Sequence, residues 1–173
     1  MAGRLDVDSF WQKIEDWDST RPLASHSLLG DPASDDQISN LQSILKFKIP
    51  SNLIALLKRH NGAGRGWYCF SEGNFLSTSE IASEYSERLD NRKLVFGDQP
   101  VSHISSIGPV QTDIWREGWI PFLKRNKEPV CIDVDPPPEG KMGQVIEVDA
   151  EGCIVRVLAP TLEDFLHDVL DEI

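Results

Sequence analysis

Between residues 118 and 166 the chain reads GWIPFLKRNKEPVCIDVDPPPEGKMGQVIEVDAEGCIVRVLAPTLEDFL. Short apolar runs alternate there with breaks that contain proline or glycine, which is the pattern of consecutive short β-strands. We predict strands around residues 107–110, 118–122, 130–134, 143–148 and 153–158. The last two flank Asp149-Ala150-Glu151-Gly152, which predicts a hairpin turn with Gly152 at a position of positive φ.

Helical periodicity dominates the rest of the chain. Apolar residues recur at helical spacing from residue 7 to residue 17. Further helix starts are predicted at Ser34 and Ser77, each followed by a Gln or Glu at the capping-box position, at Pro50 and at Thr161. The helix after Ser77 is predicted to reach about residue 89, and residues 67–70 are predicted to form a strand. These elements predict one α+β domain over residues 1–173, a mainly antiparallel sheet flanked by several helices.

Composition narrows the classes of partner. The chain has 173 residues and a formal net charge of -11, which disfavours nucleic acids and anionic membranes because their phosphates would be repelled. The acidic balance fits either a basic partner or simple solubility. The three cysteines, Cys69, Cys131 and Cys153, lack Cys-x-x-Cys spacing and predict buried free thiols in a reducing compartment. We see no secretory leader and no membrane-spanning run, and we therefore expect a cytoplasmic protein.

No motif for catalysis or for a cofactor is evident, and we expect no enzyme activity, bound cofactor or metal. Asp133 and Asp135 stand at i,i+2 and would share one face of a continuing strand, where paired carboxylates can hold Mg²⁺ or Ca²⁺. Pro136 ends that strand at once, however, and no third acid is close in sequence. A solvated or partner-facing acidic rim is the preferred interpretation, and a metal-dependent hydrolase stays as an alternative.

Six residues are predicted to lie on the surface and to contact a partner. They are Asp113, Trp115, Glu117, Asp135, Glu139 and Glu151. The carboxylates suit a basic partner, and tryptophan is a common anchor at protein interfaces. Trp115 stands between two acids and is interpreted either as such an anchor or as a core residue, whereas Trp11 and Trp119 are predicted to be core residues.

Several strings of residues, in this order, resemble the SUKH superfamily of Smi/Knr-type domains. They are Pro32-Ala33-Ser34-Asp35-Asp36, Ile49-Pro50, His60-Asn61-Gly62, Phe75-Leu76-Ser77-Thr78-Ser79-Glu80-Ile81, Trp119-Ile120-Pro121-Phe122, Cys131-Ile132-Asp133-Val134-Asp135-Pro136 and Gly143-Gln144-Val145-Ile146. The resemblance extends from about residue 10 to the last helix and implies a binding domain without catalytic function.

Within that superfamily, bacterial relatives are typically immunity proteins that neutralise polymorphic toxins, and fungal relatives regulate cell-wall synthesis. The resemblance therefore implies an immunity protein whose partner is a cognate toxin domain, which the acidic charge suggests is basic. Occlusion of the toxin's active site is the expected mechanism. A regulatory scaffold of the fungal type is the alternative. The identity of the toxin and the oligomeric state are left open by the sequence.

Overall fold

The computed structural model describes residues 6–20, 28–64, 70 and 73–173. The helices in these ranges are α1 (Val7–Ser19), α2 (Asp35–Ile44), α3 (Ser51–Arg59), α4 (Thr78–Phe96) and α5 (Leu162–Asp171). The strands are β1 (Gly73–Phe75), β2 (Ser105–Ile107), β3 (Trp119–Arg125), β4 (Glu128–Asp133), β5 (Gln144–Asp149) and β6 (Ile154–Ala159). None of these helices combines the length and the apolar character needed to cross a bilayer.

The six strands form one sheet in the order β1-β3-β4-β5-β6-β2. Neighbouring strands are antiparallel except for β2, which runs parallel to β6 at one edge. Parallel pairing needs a long crossover, and here the polypeptide between β2 and β6 first builds the whole β3–β4–β5 meander. The predicted α+β class and mainly antiparallel sheet are confirmed.

The helix starts lie where local sequence signals place them. Ser34 and Ser77 each form the predicted capping box, in which the side-chain oxygens of Gln37 and Glu80 accept a hydrogen bond from the backbone N–H of the N-cap serine. The hydroxyl of Thr161 accepts from the backbone N–H of the residue three positions later, at the start of α5. These bonds satisfy N–H groups that the first helical turn leaves without an intrahelical partner.

The end of α4 differs from the prediction. The helix continues past residue 89 to Phe96, although its buried residues, Thr78, Ile81 and Tyr85, all lie in its first half. The second half lacks a continuous apolar stripe, and so the sequence pattern gave no reason to extend the helix. The strand predicted over residues 67–70 lies outside the described residues, apart from Phe70, which forms an isolated bridge with Gly73.

Two hairpin turns contain non-glycine residues with a positive φ. Asn126 and Lys127 have φ of 48° and 93° and form the two-residue turn that connects β3 to β4. A turn with positive φ at both residues matches the right-handed twist of the two strands. In the turn before β6, Cys153 has the positive φ of 53°, and the assignment of that conformation to Gly152 was wrong. Gly152 is instead needed for close approach, because its N–H donates to Asp149 and a Cβ there would lie 2.4 Å from the Asp149 Oδ2 atom.

Helices cover both faces of the sheet. Lys124 and Arg125 are consecutive in β3, and so their side chains point to opposite faces. Lys124 reaches Glu84 of α4 at 2.7 Å, whereas the Arg125 guanidinium lies 5.7 Å from the ring centroid of Phe165 in α5. Thus α4 covers one face and α5 the other.

The core between these layers is aromatic and aliphatic. Trp11 and Trp119 are fully buried, as predicted. Cys131 is a buried free thiol whose pKa burial raises well above its ordinary value, and Cys153 is a half-buried free thiol. The remaining cysteine, Cys69, lies outside the described residues.

Candidate functional site

A surface groove lies between the second half of α4 and the segment that leads into β3. It has a volume of about 660 Å³. One wall comes from α4 and the following turn, between Leu89 and Asp98, and the other from residues 113–118 together with Asp135. Lys46 and Phe47, which follow α2, close one end.

Four of the six predicted partner-binding residues line this groove: Asp113, Trp115, Glu117 and Asp135. They are brought together because residues 113–117 run beside the loop that follows β4. Glu139 and Glu151 are exposed but lie away from the groove, in the β4–β5 loop and the β5–β6 turn. A contact between any of the six and a partner stays a prediction.

Asp113 and Trp115 are not surface side chains, and the prediction that they are is corrected. The exposed fraction of the whole residue is 8% for Asp113 and 2% for Trp115, whereas Glu117 and Asp135 are exposed. The Trp115 ring packs edge-to-face on Trp119 with 6.0 Å between centroids, and the Arg88 guanidinium covers it at 5.4 Å. Trp115 is therefore buried as part of the base of the groove.

Arg92 was not singled out by the sequence, yet it connects three parts of the groove. Its guanidinium donates to both carboxylate oxygens of Asp113, at 3.2 and 3.1 Å. The same group donates to the backbone carbonyl oxygens of Gly97 and Gln99. Arg92 thereby ties the end of α4 to the turn that follows it and to the opposite wall.

A second brace comes from the first half of α4. The Tyr85 side chain is buried, and burial raises the pKa of its hydroxyl. The preceding residue, Glu84, contacts both Arg88 and Lys124. Burial alone would raise the pKa of Glu84, but hydrogen bonds from Lys124 and Arg88 outweigh it and hold the pKa below its ordinary value. The wall formed by α4 is therefore fixed to the sheet by a charged network.

Asp133 and Asp135 do not form a paired carboxylate site. Strand β4 ends at Asp133, which is fully buried, whereas Asp135 lies beyond the strand and is exposed. The Asp133 carboxylate accepts hydrogen bonds from the Gln144 amide at 3.0 Å and from the Asp135 backbone N–H at 3.1 Å. Burial raises the pKa of Asp133. Its carboxylate thus holds the β4–β5 loop in place and does not face a solvent-accessible metal position.

One group of three side chains within the described ranges has the spacing of metal ligands. It consists of His167, Asp168 and Asp171 on the exposed face of α5, far in sequence from the groove. Asp133 and Asp135 do not belong to it. The alternative of a hydrolase based on those two aspartates therefore has no geometric support.

The rim of the groove carries both signs of charge. Asp90, Asp98 and Glu117 are exposed carboxylates, and Lys46 and Lys93 are exposed ammonium groups. On the wall opposite α4, Arg116 lies 3.5 Å from Asp135. The groove is therefore a mixed-charge surface around an apolar base, not a uniformly acidic one.

Comparison with known sequences agrees with this architecture. The sequence model of the SMI1 / KNR4 family (SUKH-1) matches residues 32–168, a range that contains every residue of the groove. KNR4/SMI1 homolog 2 of Debaryomyces hansenii is 23% identical over 208 aligned residues. That alignment covers 96% of this chain and 35% of the relative, so the chain spans about a third of the relative's length.

Proposed function

Because the chain belongs to the SMI1 / KNR4 family (SUKH-1), we propose that it is a non-enzymatic binding domain that acts as an immunity protein. In this role it binds a cognate toxin domain in the cytoplasm and covers the toxin's active site. The partner is a protein, not a nucleic acid or a membrane. The observation that carries the proposal is the braced groove between α4 and residues 113–118.

The groove suits protein recognition because its walls are already fixed. Arg92 holds one wall to the other, and Tyr85 and Trp115 fix the base. A partner that docks there does not have to order these segments, and so less of the binding energy is lost as conformational entropy. An apolar base within a charged rim is also the usual anatomy of an interface between proteins.

Electrostatics supports a basic toxin. The net charge of -11 would attract a cationic partner over long distances and raise the association rate. At the groove itself, the exposed carboxylates of Glu117 and Asp135 would pair with cations of the toxin, while Lys46 and Lys93 would restrict the orientation. Charges of both signs favour one partner over many.

Co-expression with the toxin domain encoded by the neighbouring gene tests the proposal. We expect restored growth and a stoichiometric complex. Glu117→Lys and Asp135→Lys should weaken both, because they place cations on the groove rim. Asp168→Lys and Asp171→Lys are the matched controls, since they reverse exposed acids on α5 that are not among the predicted partner-binding residues. Absence of both rescue and complex would refute the immunity role, and equal effects of all four variants would refute the groove as its surface.

A regulatory scaffold is the second candidate function. It is favoured by the relative from the yeast Debaryomyces hansenii, of which this chain matches only a part. A yeast strain that lacks that relative would be complemented with this chain and grown under cell-wall stress. Restored growth would support the scaffold role, and no change in growth would exclude it.

A further inference from the structure

The outer side of α4 near its C-terminal end carries an uncovered apolar pair. Leu94 is 84% exposed and Val95 is 68% exposed. Within the described ranges no other large apolar side chain is as exposed as Leu94, and no other two exposed ones are adjacent. Neighbouring exposed apolar residues indicate a surface that a partner covers, whereas a single exposed apolar residue is common on any protein.

These two side chains contribute nothing evident to the fold. The inner side of the same helical turns already anchors α4, through Leu89 against the core and through Arg92 to Asp113. At the end of the helix, the Phe96 ring also packs inward, with its centroid 6.0 Å from that of the His103 ring. Neither Leu94 nor Val95 packs against the core, and a valine on an exposed helix surface lowers helix propensity slightly. Their side chains are therefore available for an external contact.

Carboxylates lie beside Leu94 and just beyond the end of the helix. Asp90 precedes Leu94 by four residues and Glu87 by seven, so that all three lie along one side of the helix, and Asp98 follows just beyond its end. All three acids are exposed. The carbonyl end of α4 adds partial negative charge at the same place. Lys93 is an exposed cation beside them, whereas Arg88 and Arg92 are directed inward to Trp115 and Asp113.

We propose that this end of α4 docks a basic amphipathic segment of a partner protein. Apolar side chains of the segment cover Leu94 and Val95, and its Lys or Arg side chains face Glu87, Asp90 and Asp98. This docking role rests on the proposed function as a binding domain, but it does not require the partner to be a toxin.

The charges distinguish this occupant from the other classes of partner. In a symmetric dimer through the same surface, two surfaces that each carry three exposed carboxylates and one exposed lysine would face each other, and net like charge across an interface is unfavourable. An anionic membrane would be repelled in the same way. A cationic segment with apolar residues complements both parts of the surface.

Synthetic peptides provide the test. A fluorescently labelled helical peptide of about 18 residues built from Leu and Lys would be titrated with the full chain at about 0.15 M ionic strength, with fluorescence anisotropy as the readout. A peptide with Glu in place of Lys and another with Ser in place of Leu serve as probe controls. We expect only the Leu/Lys peptide to bind.

Variants then locate the binding surface. The double substitution Leu94→Ser with Val95→Ser should weaken binding by about tenfold, because it removes the apolar contact. Asp90→Asn with Asp98→Asn should weaken it by about threefold and reduce its dependence on salt. Asp168→Asn with Asp171→Asn is the matched control, since it removes the same charge from exposed positions on α5 and should leave binding unchanged. Thermal unfolding checks that each variant folds.

Four outcomes would overturn the proposal. They are absence of binding by the Leu/Lys peptide, equal binding by the wild type and the Leu94/Val95 variant, equal weakening by the two pairs of aspartate variants, and self-association that the Leu94/Val95 substitution abolishes. Peptide binding without rescue from a toxin would overturn only the immunity role. Rescue without peptide binding would overturn only the docking role of α4.

Discussion

The hydroxyl of Tyr85 donates a hydrogen bond to the backbone carbonyl oxygen of Glu117, with 2.8 Å between the two oxygens. The same hydroxyl accepts from the backbone N–H of Lys46 at 3.4 Å. Because Lys46 lies at one end of the groove and Glu117 on the wall opposite α4, one side chain of α4 joins that end to that wall. The position of the exposed Glu117 carboxylate therefore depends on a buried hydroxyl.

Removal of that hydroxyl by Tyr85→Phe should lower the free energy of unfolding by about 1–2 kcal/mol, since the Glu117 carbonyl loses its donor. Urea denaturation measures the loss. Ser83→Ala is the control, because it removes an exposed hydroxyl from the same helix and should cost less than about 0.5 kcal/mol. If the two variants were equally stable, the Tyr85 hydroxyl would not act as a brace.

The ion pair of Arg92 and Asp113 should be important for stability because it is shielded from solvent. The exposed fractions of the two side chains are 16% and 11%. Arg92→Met leaves an unpaired carboxylate and should lower the free energy of unfolding by about 2–4 kcal/mol. Adding Asp113→Asn should restore part of that loss. No restoration in the double variant would mean that the lost bonds to Gly97 and Gln99 cause the effect instead.

An exposed pair offers the comparison. Lys58 and Asp35 lie 2.6 Å apart, with exposed fractions of 49% and 87%. Lys58→Met should change the free energy of unfolding far less than Arg92→Met does, because solvent screens this pair. A loss as large as that of Arg92→Met would contradict the role assigned to burial.

Glu15 predicts a specific dependence of stability on pH. A hydrogen bond from Arg59 lowers its pKa in the folded protein, and a contact with His60 acts in the same direction. A group whose pKa is lowered by folding stabilises the protein above its unfolded pKa, and this contribution disappears as pH falls through the folded pKa. Glu15→Gln should thus be less stable than the wild type at neutral pH, by about 0.5–1 kcal/mol.

Chemical denaturation at a series of pH values from about 7 to about 3 tests this sign. The difference in the free energy of unfolding between the wild type and Glu15→Gln should shrink as the pH falls below about 4, which is close to the pKa of a glutamate in the unfolded chain. A difference that stayed constant over the series would show that Glu15 contributes by packing and not by charge.

The turn before β6 yields two opposite predictions. Cys153→Gly should raise the free energy of unfolding by about 0.5–1 kcal/mol, because glycine tolerates the positive φ that a cysteine adopts at a cost. Gly152→Ala should lower it, because the added Cβ displaces the Asp149 carboxylate from the Gly152 N–H. Thermal unfolding compares both with the wild type. A gain from Gly152→Ala would contradict the close approach seen in the turn.

Structural features that depend on residues close together in the chain were predictable from the sequence. The capping boxes at Ser34 and Ser77 involve side chains three positions apart, and β3 to β6 are short apolar runs between breaks. The short edge strands lack such a run: β1 was not predicted, and β2 overlaps the strand predicted over residues 107–110 only at Ile107. The antiparallel meander from β3 to β6 follows from the short connections between those strands. Local chemistry suffices for such elements because their partners are neighbours in the chain.

Features that depend on distant partners were not predictable. Trp115 has polar neighbours, which favoured exposure, but Asp113 is neutralised by Arg92, 21 residues earlier, and Arg88 covers the indole. In the part of α4 beyond Leu89, Arg92 contacts Asp113 and Phe96 packs against the core, and neither contact is visible in the local pattern. In the β5–β6 turn, glycine is required at residue 152 by its close contact with the Asp149 carboxylate. The positive φ belongs to Cys153, and the turn pattern alone did not distinguish these two requirements.

Because Lys124 and Arg125 contact helices on opposite faces of the sheet, β3 does not tolerate a change of one residue in its length. An insertion or deletion of one residue before this pair within the strand would turn Lys124 toward the Phe165 ring and Arg125 toward Glu84, and would exchange the contacts of both helices at once. The irregular register between Pro121 and Leu123 already uses the extra residue that the strand can absorb. Changes in chain length that preserve this domain are therefore confined to its connections, such as the loop of residues 136–143, which borders neither helix contact.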